Sequence, residues 1–379
     1  MATIRKRTLP SGKSVWQCDY RDGSGARRSK QFGLKKDADA FLSKARHEVG
    51  QGTHVADSQS VTVNEACKLW IERATNEGLE RSTLDQYRQH SDLHIKPMLG
   101  AQKLSRLNGP AVQKFADDLA KTLSKAMVKK VLSSLSSIFA EAQRHGYSAI
   151  NPVKTVKMRT NKRDVKKIEM PTKAELSAIL KATPEQHKPL IWTAAFTGMR
   201  ASELRGLSWD DVDLDAAVIH VKRRADKYNN ISFPKSAAGT RDIPIAPSVV
   251  ALLKAWKPQC PKGELNLVFP TGAGNVENHG NLLSRIFWPI QIAAGVSVKT
   301  KEVDQNGDPV MDAKYSLHAL RHAAASLFIE QGMKPKRIQV LMGHSSIQMT
   351  FDTYGKLFPD EDDDASAVLA IENRLLSTS

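Results

Sequence analysis

Apolar residues recur every three or four positions over residues 60–150, the spacing that places side chains on one face of a helix. The longest such stripe runs through Lys125–Arg144. Helix starts are marked by a capping box at Thr62–Glu65, by an N-cap at Ser82, and by an N-cap at Asn108 with a proline two positions later. The pattern predicts an all-helical bundle of about four helices.

The first 55 residues follow a different pattern. Ser14–Tyr20 and Arg28–Phe32 are typical of short strands, and the turn sequence Gly23–Gly25 lies between them. Helical spacing then runs from Lys36 to Val49 and stops at Gly50. These signals predict a small module of two or three strands and one helix, close to the lower size limit for independent folding.

The last part of the chain mixes helical spacing with strand signals. A further capping box at Thr172–Glu175 opens it. Strand signals follow at Val218–Val221, Ile231–Phe233 and Ile243–Ile245. We therefore expect a mainly α domain that contains a small antiparallel β-sheet.

These elements predict a multidomain α+β fold, in keeping with a length of 379 residues. A β-sheet and helix domain comes first, an all-α bundle second, and the mainly α domain last. The predicted boundaries are 1–57 for the first domain, 58–153 for the bundle, 154–167 for a linker, and 168–379 for the last domain and its tail.

The charge points to a polyanionic partner. The chain carries 56 Lys and Arg against 40 Asp and Glu, a net charge of +16. Residues 1–55 hold twelve basic and five acidic residues, and residues 154–167 hold seven basic and one acidic. Such runs often form a solvated surface, but between two basic modules the linker is better explained as a strap along phosphates.

Other classes of protein are disfavoured by what the sequence lacks. No stretch reaches the about 18 apolar residues of a membrane span, and the basic N-terminus has no apolar core of a secretory signal. Three distant cysteines, Cys18, Cys67 and Cys260, suit neither a disulfide framework nor a zinc clip. We expect a cytoplasmic protein.

The acidic tail, residues 360–364, precedes a weakly amphipathic segment containing Val368, Leu369, Ile371, Leu375 and Leu376. It is either a solubilising end or a terminal helix that docks on a neighbouring subunit.

Four segments of the last domain carry candidate chemistry. In the first, Thr197–Gly206, a glycine turn precedes Arg200, and Glu203 lies one helical turn later, where it can hold the guanidinium through a bidentate pair. An ordinary surface Arg–Glu pair is the alternative. In the second, Pro234–Pro244, strand signals around a glycine predict a β-hairpin that begins with Lys235. This lysine is either an ordinary surface residue or a proton donor above a groove.

The third and fourth segments add histidines and a tyrosine. His318 and Arg321 are three residues apart and share a helix face, although His318 alone also fits a core histidine. His344 follows a helix end and a glycine, and Tyr354 comes ten residues later. His318 and His322 have zinc-ligand spacing, but Ala319 occupies the place of the HExxH glutamate, so a metal is not expected.

Together these groups suit phosphoryl transfer without a metal or a nucleotide. Planar guanidinium forks match the oxygens of a phosphodiester, and cationic donors stabilise the charge of its transition state. Tyrosine is a covalent nucleophile that needs cationic help at neutral pH, and lysine can protonate a departing oxygen.

The order of the segments (TGMR with ELRGL, a hairpin lysine, HxLRH, LMGH and a final tyrosine) resembles the tyrosine recombinases, specifically the phage-type integrases. The resemblance implies that 168–379 is a catalytic domain, 58–153 a helical core-binding domain and 1–57 an arm-type DNA-binding domain. It implies that Arg200 and Arg321 clamp the scissile phosphate. It also implies that Lys235 is the general acid, that His318 assists proton transfer and that Tyr354 is the nucleophile. His344 would bind the phosphate or position the nucleophile, and Glu203 would orient Arg200.

The resemblance also implies partners. These are double-stranded DNA with core-type and arm-type sites, a homotetramer on that DNA, and accessory DNA-bending and excision proteins, with the enzyme on the nucleoid and no cofactor or metal. The expected function is integration or excision of a mobile element or prophage through a 3′-phosphotyrosine. A type IB topoisomerase and a catalytically inactive DNA-binding protein are the alternatives, and a hydrolytic nuclease is the least favoured reading.

Overall fold

The computed structural model describes residues 2–23, 25–158, 169–303, 305, 307, 309–358, 369, 372–374 and 376. The chain forms two compact units, residues 1–164 and 165–379. Three parts of the sequence analysis lie outside the described residues: residues 159–167 of the predicted basic linker, the acidic run 360–364, and Val368, Ile371 and Leu375 of the amphipathic tail.

A three-stranded antiparallel sheet opens the first unit. Its strands are β1 (Thr3–Thr8), β2 (Ser14–Arg21) and β3 (Arg27–Phe32), in that spatial order, and helix α1 (Lys35–Gly50) follows. The predicted strands and helix are thereby confirmed. One face of the sheet packs against α1 through Cys18, Tyr20, Leu42 and Ala45.

The opposite face of this sheet is polar and carries arginines. The strand register places Arg5 opposite Gln17, and Asp19 opposite Ser29. Successive side chains of a strand point to opposite faces of the sheet. The face away from α1 therefore carries Arg5, Arg7, Gln17, Asp19, Arg21, Arg27, Ser29 and Gln31. We call these residues the basic sheet face. Arg5 Nη2 lies 3.2 Å from Asp19 Oδ2, and Arg7 Nη1 donates to Gln17 Oε1 at 3.2 Å.

A helical bundle completes the first unit. Its helices are α2 (Val63–Asn76), α3 (Arg81–His90), α4 (Lys96–Leu99), α5 (Gly109–Leu119) and α6 (Lys125–Arg144). The capping box at Thr62 and Glu65 and the N-cap at Asn108 are confirmed. The predicted cap at Ser82 is wrong, because the carbonyl of Glu80 accepts the first helical bonds and α3 begins at Arg81.

Asp57 joins the N-terminal module to the bundle. Its carboxylate accepts from Lys30 Nζ and from Ser105 Oγ, each at 2.7 Å, and lies 3.4 Å from Arg106 Nη2. Burial alone would raise the pKa of Asp57, but these donors lower it to about 2. The 57/58 and 153/154 boundaries stay predictions. Residues Pro152–Thr155 form a 3-10 turn, and Val156 and Met158 pack against the bundle core.

The second unit is mainly helical with short sheets. Its helices are α7 (Lys173–Ala182), α8 (Lys188–Thr197), α9 (Ala201–Gly206), α10 (Pro247–Trp256), α11 (His279–Asn281), α12 (Trp288–Ala293), α13 (Leu317–Glu330), α14 (Pro335–Met342) and α15 (Ile347–Tyr354). Its strands are β4 (Val212–Asp213), β5 (Val218–Val221), β6 (Arg224–Ala225), β7 (Ile231–Ser232), β8 (Arg241–Pro244), β9 (Ser297–Val303) and β10 (Pro309–Ala313). The capping box at Thr172 and Glu175 is confirmed.

The predicted hairpin over Pro234–Pro244 is wrong. Strand β7 pairs with β6, whereas β8 pairs with β5, so the two strands that flank Lys235 belong to different sheets. The small antiparallel sheet of the last domain, β4-β5-β8, is present as predicted. Lys235 lies in the connection between β7 and β8, where a short 3-10 turn at Ala237–Gly239 replaces the hairpin turn.

No helix in the described part of the chain is long and apolar enough to cross a membrane. Cys18, Cys67 and Cys260 are free thiols, and each is buried.

Candidate active site

Three arginines converge on the C-terminal end of α14. Arg241 Nε donates to the Leu341 carbonyl at 2.6 Å, Arg321 Nη2 donates to the Met342 carbonyl, and Arg200 Nη2 donates to the Gly343 carbonyl at 2.9 Å. The last carbonyls of a helix lack partners within the helix and carry its negative partial charge. Cationic side chains therefore satisfy them, and the helix end gathers residues from three distant parts of the chain.

Two glycines allow this approach. Gly198 follows α8 at φ +62°, and Gly343 follows α14 at φ +60°, so both lie in the left-handed region that favours glycine. A Cβ at Gly343 would come within 2.9 Å of Arg241 Nη1 and 3.0 Å of the Ala238 carbonyl oxygen. The Gly198 carbonyl accepts from Arg321 Nη1 at 2.7 Å.

Glu203 is shared between two arginines. Its carboxylate accepts from Arg200 Nη1 at 2.8 Å and from the Arg200 backbone N–H at 2.8 Å. The bidentate partner is Arg241, with Nη1 at 3.1 Å and Nη2 at 2.9 Å. The expected bidentate Arg200–Glu203 pair is therefore corrected. Burial would raise the pKa of Glu203, but the bonds and charge of Arg241 and the charge of Arg200 lower it.

Arg241 is a residue that sequence reasoning missed. Its side chain and that of Glu203 are each only 2% exposed. The sequence did contain a signal for Arg241, because it alternates with Ile243 and Ile245, as residues on the inward face of a strand do. All three are buried in the structure. A charged residue at an inward position of a strand requires a buried partner.

The two predicted phosphate-binding arginines differ in exposure. The Arg200 side chain is 34% exposed, so a ligand can reach it from solvent, whereas Arg321 is buried. Burial, and then the charge of Arg200, lowers the pKa of Arg321 to about 9. Each guanidinium has five N–H donors, and the bonds described above use two of them.

His344 is buried at the end of the α14 turn. Its Nδ1 lies 2.9 Å from Thr350 Oγ1, and its carbonyl accepts from Gln339 Nε2 at 3.1 Å. Burial, followed by the charges of Arg321 and Arg200, lowers the pKa of His344 to about 4. Thr350 orients this ring and Gln339 holds the backbone of His344, and no pattern in the sequence marked either of them.

Tyr354 ends α15 and is 1% exposed. Its ring packs with Ala325, Ile329 and Met342 and lies parallel to the His344 ring, with centroids 6.2 Å apart. Burial raises the pKa of Tyr354 to about 12, although Arg321 and Arg200 act in the opposite direction.

The Tyr354 hydroxyl has a partner that sequence reasoning considered only as a metal ligand. His322 Nδ1 lies 2.8 Å from Tyr354 Oη. The signal was the second histidine of HxLRH, four residues after His318, which places both rings on one side of α13. Their centroids are 4.7 Å apart in an edge-to-face contact.

His318 does not behave as a core histidine, because its side chain is exposed. Packing around part of the ring, and then the charges of His322, Arg321 and Arg200, lower its pKa. It therefore lies near both arginines while one side stays open to solvent.

Lys235 is the predicted residue that lies on a surface loop. It is exposed on the connection between β7 and β8. The far end of that connection reaches the cluster, since Arg241 Nη1 donates to the Gly239 carbonyl at 2.9 Å. The structure thus brings together Arg200, Glu203, His318, Arg321, His344 and Tyr354, and it places Lys235 on an adjoining loop.

The cluster is chemically suited to an anionic phosphorus centre. Fixed guanidinium and imidazole donors stabilise developing negative charge without reorganisation, and a tyrosine hydroxyl lies beside them. Within the described part of the chain, no group of three His, Cys, Asp or Glu side chains is placed to hold a metal ion.

We expect the folded protein to lose stability as the pH falls from 6.5 towards 4, because the pKa of His344 drops from 6.5 to about 4 on folding. In this range the unfolded chain binds a proton that the folded chain does not, so acid favours unfolding. Melting temperatures across this range should fall less steeply for His344→Asn than for the wild type. An exposed histidine, replaced in His145→Asn, is the control. Equal slopes for His344→Asn and the wild type would contradict the assignment.

Comparison with known proteins identifies the family. The family model described as "Phage integrase family" matches residues 169–361. This match covers more than half of the chain and all of the residues gathered in the cluster.

Curated relatives extend the likeness over most of the chain. A "Tyrosine recombinase XerC-like" protein of Caldanaerobacter subterraneus subsp. tengcongensis is 26% identical, over 92% of this chain and 93% of the relative. A "Putative prophage phiRv2 integrase" of Mycobacterium tuberculosis is 27% identical, over 90% of this chain and 88% of the relative.

Solved structures share the fold. The Tn1549 transposon integrase in complex with a circular intermediate DNA matches with a TM-score of 0.65 and 21% identity, over 83% of this chain and 100% of that one. A lambda integrase dimer bound to a core site matches with a TM-score of 0.59 and 21% identity, over 95% of each chain. With the arginines and histidines of its TGMR, HxLRH and LMGH segments and the final Tyr354 gathered at one helix end, the chain belongs to the phage integrase family of tyrosine recombinases.

Proposed function

We propose that this protein is a site-specific DNA recombinase that cleaves and rejoins strands through a 3′-phosphotyrosine at Tyr354, and that it integrates or excises a mobile element or prophage. The observation that carries the proposal is the convergence of Arg200, Arg321 and His344 with Tyr354 around the end of α14. A DNA-binding protein that catalyses no reaction has no use for a buried tyrosine beside two arginines that can bind one phosphate.

In the proposed reaction, Tyr354 Oη attacks the scissile phosphorus and forms a P–O bond while the bond to the 5′ oxygen breaks. The departing oxygen takes a proton from Lys235, and His322 Nδ1, 2.8 Å from Oη, accepts the phenolic proton. Arg200 and Arg321 hold the non-bridging oxygens, His344 stabilises the transition state, and His318 assists proton transfer. A 5′ hydroxyl of a partner strand then attacks the phosphotyrosine and gives its proton to Lys235, while the P–O bond to Tyr354 breaks and Oη takes its proton back from His322. One phosphodiester replaces another, so no external energy source is needed.

The nucleophile must change its surroundings before it can react. Tyr354 is 1% exposed, so a phosphodiester cannot reach Oη in this conformation. Lys235 must also approach the phosphate, and it lies on a surface connection that DNA binding can reposition. We propose that DNA binding supplies both changes.

Assembly follows from the same proposal. A lambda integrase tetramer bound to a Holliday junction shares the fold, with a TM-score of 0.58 and 20% identity. We propose that four copies of this chain act on two duplexes through core-type sites, and that DNA-bending or excision proteins assist them.

The basic sheet face supports a second type of DNA contact. Helix α1 covers the opposite face, and the arginines and Gln31 of the basic sheet face are exposed. Guanidinium forks and side-chain amides are the groups that read base edges in the major groove, which admits a β-ribbon. We propose that this face binds arm-type sites.

This proposal predicts that Arg5→Ala/Arg7→Ala loses one class of DNA sequence. When the full chain selects duplexes from a random pool, we expect two sequence classes, and the double variant should retain only one. Where residual binding of duplexes from the other class can be measured, its slope of log K against log salt should be smaller by about one per phosphate contact removed. Lys44→Ala on α1 is the control and should retain both classes. Retention of both by the double variant would remove the arm-site assignment.

The test of the main proposal is a trapped covalent complex. Duplexes selected by the full chain are nicked near the cleavage position, so that the short fragment diffuses away after attack. We expect a detergent-resistant protein–DNA adduct on the 3′ end of the cut. If it never forms, the recombinase proposal fails. Relaxation of supercoiled plasmid lacking a selected sequence would favour the topoisomerase alternative.

A further inference from the structure

Phe233 is the most solvent-exposed large apolar side chain in the described part of the protein, with 85% of its surface accessible. It lies directly after β7 and two residues before Lys235. A ring with so little cover is accessible to a partner, and its burial in a contact would be favourable.

The backbone that carries this ring is firmly held. Arg224 Nε donates to the Phe233 carbonyl at 3.2 Å, and β6 pairs with β7 through Ala225 and Ile231. Helix α9 packs closely against this pair, because a Cβ at Gly206 would come within 2.7 Å of the Ala225 nitrogen. The ring therefore projects from a rigid support.

Arg205 strengthens the support from inside. Its guanidinium is buried and donates to the Glu277 carbonyl at 2.6 Å and to the Asp226 carbonyl at 3.2 Å. It also binds the Asn229 side chain in the turn between β6 and β7. This arginine of the ELRGL segment thus anchors the strand pair that presents Phe233.

The same segment adjoins the candidate active site. A side chain at Gly239 would overlap Pro234, so the connection folds back on the residue next to Phe233. The neighbouring Ala238 carbonyl lies against Gly343, whose own carbonyl accepts from Arg200. Phe233 is therefore one short loop away from the arginine that is proposed to hold the scissile phosphate.

The chain segment that carries the ring is rich in basic residues, of which Lys222, Lys227 and Lys235 are exposed. Residues 222–235 contain five basic residues and one acidic residue, Asp226. A polyanion is attracted to such a surface. An apolar peptide or a second apolar surface gains no attraction from the positive charge. Apolar side chains at protein–DNA interfaces act as wedges that open a base step from the groove.

We propose that Phe233 is a DNA-contact residue whose ring inserts at the base step beside the scissile phosphate. This inference rests on the proposed function in taking duplex DNA as the substrate. Insertion would unstack that step and hold the duplex in register with Arg200, while Lys235 follows the ring into the groove. The contact is apolar, so it releases no counterions.

The experiment uses the full chain and the core-type duplex that it selects from a random pool, with 2-aminopurine placed at successive positions. We expect wild-type binding to raise fluorescence at one step next to the mapped cleavage position. Phe233→Ala should lose this increase and bind about tenfold more weakly, with an unchanged slope of log K against log salt. Lys235→Ala should instead lower that slope by about one.

Two further variants control for general effects. Val303→Ala removes another exposed apolar side chain, 64% accessible on β9, and should change neither signal. Phe233→Leu should restore much of the affinity. If no step depends on Phe233, or its loss leaves affinity unchanged, the inference is wrong even where the covalent adduct forms. If one step of the selected duplex shows a Phe233-dependent signal but the adduct never forms, insertion of the ring into DNA stands and the recombinase proposal fails.

Discussion

Tyr354→Phe is expected to reduce covalent adduct formation and strand joining by at least about 1000-fold, because the variant lacks the oxygen that must attack phosphorus. DNA affinity should stay unchanged. The ring that packs with Ala325, Ile329 and Met342 is preserved, so the fold around α15 should persist. Adduct yield on nicked duplexes and the dissociation constant on intact ones measure the two effects separately.

The matched control is Tyr315→Phe. Tyr315 is also buried and its hydroxyl also has a hydrogen-bond partner, Glu175 Oε2 at 3.0 Å, but it lies outside the cluster. Adduct formation by Tyr315→Phe should equal that of the wild type. Should Tyr354→Phe still give an adduct, the nucleophile is a different residue.

Adduct formation should also depend on the cations around the nucleophile. Burial raises the pKa of Tyr354 to about 12, so the phenol is a poor nucleophile in the DNA-free conformation. Arg321 and Arg200 oppose this shift. For the reaction, Tyr354 Oη must therefore leave its apolar surroundings and lie next to these two arginines when the phosphate binds.

Glu203→Gln is expected to destabilise the second unit by about 3–5 kcal/mol, because it leaves the buried Arg241 guanidinium without its counter-charge. Both side chains of the pair are 2% exposed, so water cannot replace the lost carboxylate. Arg200 loses the same partner. Hydrogen–deuterium exchange at the amides of α9 and β8 measures the change in the free energy of opening where the pair is located.

A surface ion pair of the same unit provides the comparison. Glu185 is 83% exposed and pairs with Lys188, so Glu185→Gln should leave exchange in α9 and β8 unchanged. Removing both charges in Glu203→Gln/Arg241→Met should recover part of the stability lost in the single variant. Glu203→Gln exchange as slow as the wild type would show that the pair contributes little.

Local signals predicted most elements because the physics behind them is local. A capping box such as Thr62 with Glu65 satisfies backbone donors within four residues, and the stripe of Lys125–Arg144 records burial of one helix face. The prediction failed at Lys235, where strand signals on both sides suggested a hairpin. Pairing partners in a sheet are chosen by tertiary packing, and here β7 and β8 joined different sheets.

The sequence by itself determined the family, the candidate chemistry, and the helices of the first unit that carry a cap or a long apolar stripe, because residue types and short spacings carry that information. Only the tertiary structure decided which groups touch. The bidentate partner of Glu203 is Arg241, 38 residues away, and Arg321 donates to the carbonyl of Gly198, 123 residues away. Such pairings depend on which buried charges and helix ends come into contact when the core packs. Short sequence patterns do not contain this information.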